Sequence, residues 1–171
     1  MRRHAITLTL VLAGLLAVPA LAATTQNADL LKAFAKQLPA VKHKTTVAVL
    51  LPTSLPFAGK VPKLYPTGGA SKNAWDLELA GAPNCGGADA CFLAPFEAKR
   101  GGKLPGTSNL KLAGGQPALY KGITCGASCS PATLWFVYHG ILYTWQHKDP
   151  PANAKAVLAR LAAQAIAAGP R

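Results

Sequence analysis

Four cysteines carry the most reactive side chains of this sequence, and they come as two close pairs. Cys85 and Cys91 are spaced C-x5-C; Cys125 and Cys129 are spaced C-x3-C. Four thiols can close disulfides, bind zinc or hold a soft metal, and their spacing discriminates. Structural zinc sites use C-x2-C-type knuckles, which neither pair supplies. In an oxidising compartment disulfides are the expected state. Four cysteines allow three connectivities. Pairing within each close pair, Cys85–Cys91 and Cys125–Cys129, needs no long-range assumption and is the expected one. Each bridge then closes a short loop, worth about 2–2.5 kcal/mol by chain entropy. No metal is assigned to them.

Other residue types give weaker chemical signals. His43, His139 and His147 have no acid at ligand or triad spacing, so they read as structural or surface residues. Asp76 and Glu78 sit two apart, on one face of any strand, as a glycosidase's carboxylates could; a solvated strand face is the simpler reading. Gly126-Ala127-Ser128-Cys129-Ser130 is G-x-S-x-S, not the G-x-S-x-G elbow of a hydrolase, and no helical pattern follows it. Neither a P-loop nor a G-x-G-x-x-G is present, and no cofactor is expected. Lys99, Arg100 and Lys103 flank Gly101-Gly102, where cations and backbone amides could meet an anion; they are the candidate anion-binding residues.

The start of the chain sets the compartment. Met1-Arg2-Arg3-His4 is basic, Ala5 to Val18 is apolar apart from two threonines, and Ala20-Leu21-Ala22 supplies the small residues a signal peptidase reads. The expectation is a signal peptide over 1–22 and one domain over 23–171, in the periplasm or secreted. The apolar run is shorter than the ~20 residues that span a bilayer. The 171 residues carry a formal charge of +12, which falls to +10 once Arg2 and Arg3 leave with the signal. A basic exported surface suits anionic envelope polymers or a protein partner. The lysines are not interleaved with aromatic residues, as a single-stranded nucleic-acid surface requires.

The elements follow from periodicity. Leu30, Leu31, Phe34 and Leu38 predict a helix capped by Asn27 and stopped at Pro39. Thr45 to Leu51 is β-branched and apolar, which predicts a strand. Asn73 to Ala80 alternates, with Trp75, Leu77 and Leu79 inward and Asp76 and Glu78 outward. Ala90 to Lys99 is another strand, and Pro95 puts it at an edge or beside a bulge. Short strands are expected at 109–113 and 118–124. Pro131 to His147 is the strongest hairpin, turning at His139-Gly140, with Tyr138 opposite Ile141, Phe136 opposite Tyr143 and Leu134 opposite Trp145. A last helix follows, capped by Asp149 with Pro150 at its first position; Val157, Leu158, Leu161 and Ala165 form its buried stripe.

These elements add up to an α+β domain: an antiparallel sheet of five to six strands, with N- and C-terminal helices packed on one face. The stretch Leu134-Trp135-x3-His139-Gly140-x2-Tyr143 with its closing helix resembles the end of several uncharacterised bacterial exported or lipoprotein-type single-sheet domains. That resemblance covers the last third and implies a binding or structural module without assigning it functional residues. The expected function is a non-catalytic envelope protein. The alternative is a copper-binding or thiol-redox protein using Cys125 and Cys129, because thiolates favour Cu(I). The C-x3-C spacing is similar to the C-x3-C-P of periplasmic copper-delivery proteins of the Sco type, although Ser130 here separates Cys129 from Pro131.

Overall fold

The computed structural model describes residues 25–85, 91–126 and 128–171. The expected signal peptide and its cleavage point lie outside the described residues. From the N-terminal side come β1 (Thr25–Asp29), the one-turn α1 (Leu30–Ala33), α2 (Gln37–Lys44), β2 (Ser54–Ala58), β3 (Tyr65–Ser71), β4 (Ala74–Ala80) and β5 (Phe92–Arg100). Then follow β6 (Leu110–Lys111), β7 (Pro117–Lys121), β8 (Thr124–Cys125), β9 (Cys129–Ser130), β10 (Ala132–Tyr138), β11 (Ile141–His147) and α3 (Ala154–Ala168). Seven strands form one antiparallel sheet in the order β3-β4-β5-β11-β10-β7-β6, and two small ribbons, β1–β2 and β8–β9, stand apart.

The β10–β11 hairpin has the register expected from the sequence: Tyr138 faces Ile141, Phe136 faces Tyr143 and Leu134 faces Trp145. His139 (φ 49°) and Gly140 (φ 72°) both take positive φ, as a two-residue turn that matches strand twist requires. Two rows of side chains cross the sheet on its covered face. One runs Leu77, Phe96, Trp145, Leu134; the other runs Trp75, Ala98, Tyr143, Phe136, Ala118. All nine are buried. Phe136 stacks on Tyr143 at 5.0 Å, and its edge meets Trp145 at 5.2 Å. Leu158, Leu161 and Ala165 of α3 and Leu30 and Phe34 near α1 complete this core.

The sheet has seven strands, not five to six, and the additional one is β3. Its sequence, Tyr-Pro-Thr-Gly-Gly-Ala-Ser, has no apolar alternation to announce it. Pro66 suits an edge position, and α2 covers this edge, with Gln37 Nε2 donating to Pro66 O at 2.8 Å. β5 is an interior strand. Its register against β4 shifts by one residue near Leu93, a bulge two residues from Pro95. Pairing with β11 ends at Phe96, so the proline lies just outside that ladder.

Two helical expectations need correction. No single N-terminal helix runs over 27–38. Asn27 lies in β1, and the cap is Asp29, whose carboxylate accepts from Lys32 N at 2.9 Å. Pro39 does not stop a helix; it sits in the first turn of α2, where a backbone N–H has no partner to lose. At the other end, Asn153 and not Asp149 caps α3, accepting from Ala156 N. Pro151 is the reason: a residue before proline is pushed out of the helical region, so Pro150 cannot open a helix. The buried stripe of α3 is Leu158, Leu161, Ala162 and Ala165, with Val157 half-buried at its border.

Thr45 to Leu51 is not a strand. It is an unpaired strap across the covered face, with Val47, Val49, Leu50 and Leu51 buried. Side chains satisfy the carbonyls of Thr46, Ala48 and Leu51, and the Arg171 N–H satisfies that of Val49. Trp75 Nε1 and Tyr143 Oη both donate to Ala48 O, at 3.1 and 2.9 Å. Arg100 Nη2 donates to Thr46 O at 2.8 Å, and Arg171 Nε to Leu51 O at 3.1 Å. An apolar run needs burial and partners for its peptides; here a third layer supplies both without a ladder.

The β1–β2 ribbon docks beside β11 through His147, which is fully buried. Its Nε2 lies 2.6 Å from Pro56 O. A carbonyl only accepts, so Nε2 carries the proton, and Nδ1 is buried without a partner. Burial lowers the His147 pKa, opposed by the bond to Pro56 and by Asp149. The unfolded chain therefore takes up this proton first as pH falls. Stability is full above the unfolded value of about pH 6.5 and is lost as pH drops through the lowered native value. We expect the urea midpoint to fall between about pH 7 and about pH 5, and His147→Phe to remove that slope. An unchanged slope in the variant would assign the acid sensitivity to other groups.

Candidate functional site

The cysteines form the two bridges Cys85–Cys91 and Cys125–Cys129, and no described cysteine is free. The first bridges the end of the β4–β5 connection. The second closes the β8–β9 finger, whose described residues are all exposed. Ile123 at its base is 47% exposed, an unusual position for a large apolar side chain. Soft-metal binding by Cys125 and Cys129 would first require reduction of their bond. Because both loops are short and peripheral to the core, reduction is expected to leave the fold in place. The stability loss should be about 2 kcal/mol per bond, read as a drop in urea midpoint with the near-ultraviolet dichroism retained. Global unfolding on reduction would show that the loops hold more than themselves.

Lys99, Arg100 and Lys103 do not form one cluster. Lys99 and Arg100 are consecutive in β5 and so point to opposite faces. Arg100 is bound to the strap through Thr46 O and Thr46 Oγ1. Lys99 faces the other side, and Lys103 is exposed in the following loop. His139 is a turn residue and His147 a core residue. Among the described residues, no group of three or more histidines, cysteines or carboxylates is placed to hold a metal ion.

What the structure adds is the second face of the sheet. The helices, the strap and the β1–β2 ribbon all lie on the first. The second carries the row Asp76, Glu97, Thr144, Trp135, Leu119, contributed by five adjacent strands. Beside it run Glu78, Pro95, Gln146, Thr133 and Lys121. Asp76 and Glu78 share a face, as their spacing implies, and Glu97 joins them directly opposite Asp76. Sequence reasoning missed Glu97, because its partners are identified only by the pairing of β4 with β5. Desolvation by the surrounding sheet raises the Glu97 pKa, and the charges of Asp76 and then Glu78 raise it further.

This face is hollowed. One depression of about 640 Å³ is lined by Ser71, Asp76, Glu97, Lys99, Leu142 and Thr144. A second, of about 460 Å³, is lined by Glu78, Glu97, Lys121, Trp135, Gln146 and Lys148 among others. Glu97 borders both, so the two depressions adjoin across the strands and together make up the groove of this face. The loop after β5 packs on this face against Leu142, a lining residue of the first depression. Gly102 packs against Leu142 so tightly that a Cβ would lie 2.6 Å from the Leu142 Cβ, and only glycine fits. The disulfide finger rims the second depression through Cys129 and Ser130. Each depression has the size small-molecule clefts have, roughly 300–1,000 Å³.

No protein-family model matches this chain, and comparison with the curated proteins and with the solved structures found no match.

Proposed function

We propose that this chain is an exported, non-catalytic binding domain of the bacterial envelope, periplasmic or secreted, whose partner is an anionic envelope polymer. The uncovered face of the sheet carries the binding part of this reading, and the lysine excess of the whole chain, 18 basic residues against 6 acidic ones, carries the choice of an anionic partner. A sheet that covers one face with three kinds of element, and the other only where the loop after β5 meets Leu142 and Leu119, has a surface to offer. Two disulfides are compatible with an oxidising destination. Among the described residues no helix is long and apolar enough to cross a membrane. The lysine excess draws the domain toward anionic material over about a Debye length, ~10 Å at 0.1 M salt. Lys99, Lys121 and Lys148 line the groove, Lys103 is exposed in the loop after β5, and Arg100 is committed to the strap.

The test has two parts. Sequencing the N-terminus of protein made in an exporting bacterial host should show cleavage after Ala22. Purified protein should be retained on lipopolysaccharide or anionic cell-wall fractions, with retention falling as salt rises. Retention that ignores salt would remove charge from the account, and recovery of a stoichiometric protein instead would make the partner a protein.

A further inference from the structure

The charges lining the groove do not resemble those of the rest of the protein. The two depressions contain Asp76, Glu78 and Glu97 against Lys99, Lys121 and Lys148, three of each sign. The whole chain carries 18 basic residues against 6 acidic ones. Half of all its carboxylates are therefore gathered in one groove, where they cancel the local lysines. Long-range attraction can bring the domain to an anionic surface, but the groove itself favours neither a polyanion nor a polycation. What it offers is a mixture of hydrogen-bond acceptors and donors. The carboxylates accept; the lysines donate; Gln146, Thr133 and Thr144 do both. Among them Trp135, half-buried in the middle of β10, presents part of an aromatic ring.

That combination fits one ligand chemistry. A pyranose ring has a rim of hydroxyls, each both donor and acceptor, and a flat face of C–H bonds whose positive edge suits an aromatic π-face. A charged ligand would meet three like charges in this groove; a polyhydroxyl ligand meets a partner for either role. The two depressions together reach from Ser71 in β3 to Lys121 in β7, six adjacent strands, about 24 Å at ~4.8 Å per strand spacing. A single sugar would leave most of that length unfilled, whereas a linear chain would use it. The geometry points to the open sheet face as a binding groove for an uncharged linear oligosaccharide, with Trp135 as the stacking platform and Glu97 as the hydrogen-bonding residue shared by its two halves. This rests on the reading of the open face as a binding surface; the anionic polymer is met by lysines outside the groove, such as the exposed Lys103.

The other two features that stand out carry less. The exposed Ile123 beside the disulfide finger has nothing that identifies what covers it. The buried His147 gives a pH-dependent stability already accounted for by the docking of the ribbon.

The experiment is a titration of the intact oxidised protein with short chito-, cello- and malto-oligomers, read by calorimetry and by tryptophan fluorescence. Heparin and polylysine serve as charged controls. The expected result is saturable binding of at least one neutral series, little changed by salt. Trp135→Ala should weaken it at least tenfold and Trp135→Phe less. Glu97→Gln keeps the shape but exchanges an acceptor for an amide, and should weaken it severalfold. Near-ultraviolet dichroism from the buried Trp75 and Trp145 reports whether each variant is folded; a misfolded Trp135→Ala leaves the decision to Trp135→Phe and Glu97→Gln. Failure of every neutral series overturns the inference, as does neutral binding that survives all three variants. If the neutral series fail while heparin and envelope fractions still bind with salt dependence, the sugar groove falls and the envelope-binding function stands. If nothing binds, both fall.

Discussion

Replacing Phe136 by alanine is expected to cost about 3–5 kcal/mol of stability, the range for deleting a buried aromatic ring. The ring is fully buried, stacked on Tyr143 and edge-on to Trp145. It therefore holds two neighbours as well as its own volume. It lies in the middle of β10, where the backbone is paired on both sides and cannot move in to fill the space. For a domain of this size, such a loss lowers the melting temperature by roughly 6–20 °C. Phe136→Leu retains much of the volume and should cost distinctly less. A cost near 1 kcal/mol for Phe136→Ala would mean that the three rings repack, and that the core is looser than its geometry implies.

The second large effect concerns the strap. Trp75→Ala removes a buried indole and one of the two donors to Ala48 O, and should cost about 3–5 kcal/mol. Tyr143→Phe removes only the other donor. Ala48 O keeps Trp75 Nε1, so no carbonyl is orphaned and the loss should stay near 1 kcal/mol. Combining Trp75→Phe with Tyr143→Phe leaves Ala48 O without either donor inside the protein. That pair should cost more than the sum of the singles, because the last partner of a buried carbonyl is worth more than the first. Hydrogen exchange at the amides of Val47 to Leu51 locates the damage. If exchange there is unchanged while stability falls, the strap is held by packing alone.

The parts of this fold that were legible in the sequence are those where one pattern answers to one cause. The hairpin at 131–147 could be read to the residue because a period-two pattern of large rings and a His-Gly turn agree on a register. β4 was readable because its polar face meets solvent and its apolar face the core. The strap misled because an apolar run reports burial and is silent on what pairs with its peptides. β3 gave no signal, since an edge strand under a helix can be built from glycine, alanine and a proline. The start of α3 moved by several residues because of the backbone restriction Pro151 places on Pro150. The groove was illegible for another reason. Its charges come from three strands and the residue after a fourth, and Glu97 acquires its meaning only when β4 lies beside β5. Of the sequence-derived anion candidates, Arg100 turned to the covered face through strand alternation alone.

The strand order has a consequence for how the chain assembles. Six neighbouring pairs make up the main sheet, and five of them join segments close in sequence. The exception is β5 with β11, which brings Phe96 to Trp145 and Arg100 to Ile141. The sheet is thus two meanders, β3-β4-β5 and β6-β7-β10-β11, meeting at one seam. Each meander contains its own disulfide, and neither bridge crosses the seam. Closing the seam means closing a loop of about forty residues, the slow and entropically costly step of such a topology. The Cys125–Cys129 bond shortens that loop by only a few residues. Each half can therefore be oxidised correctly before the halves find each other, and bridging should leave the refolding rate almost unchanged while slowing unfolding. Stopped-flow refolding of the oxidised and reduced chains measures this directly; a large difference in refolding rate would place a disulfide loop, and not the seam, at the bottleneck.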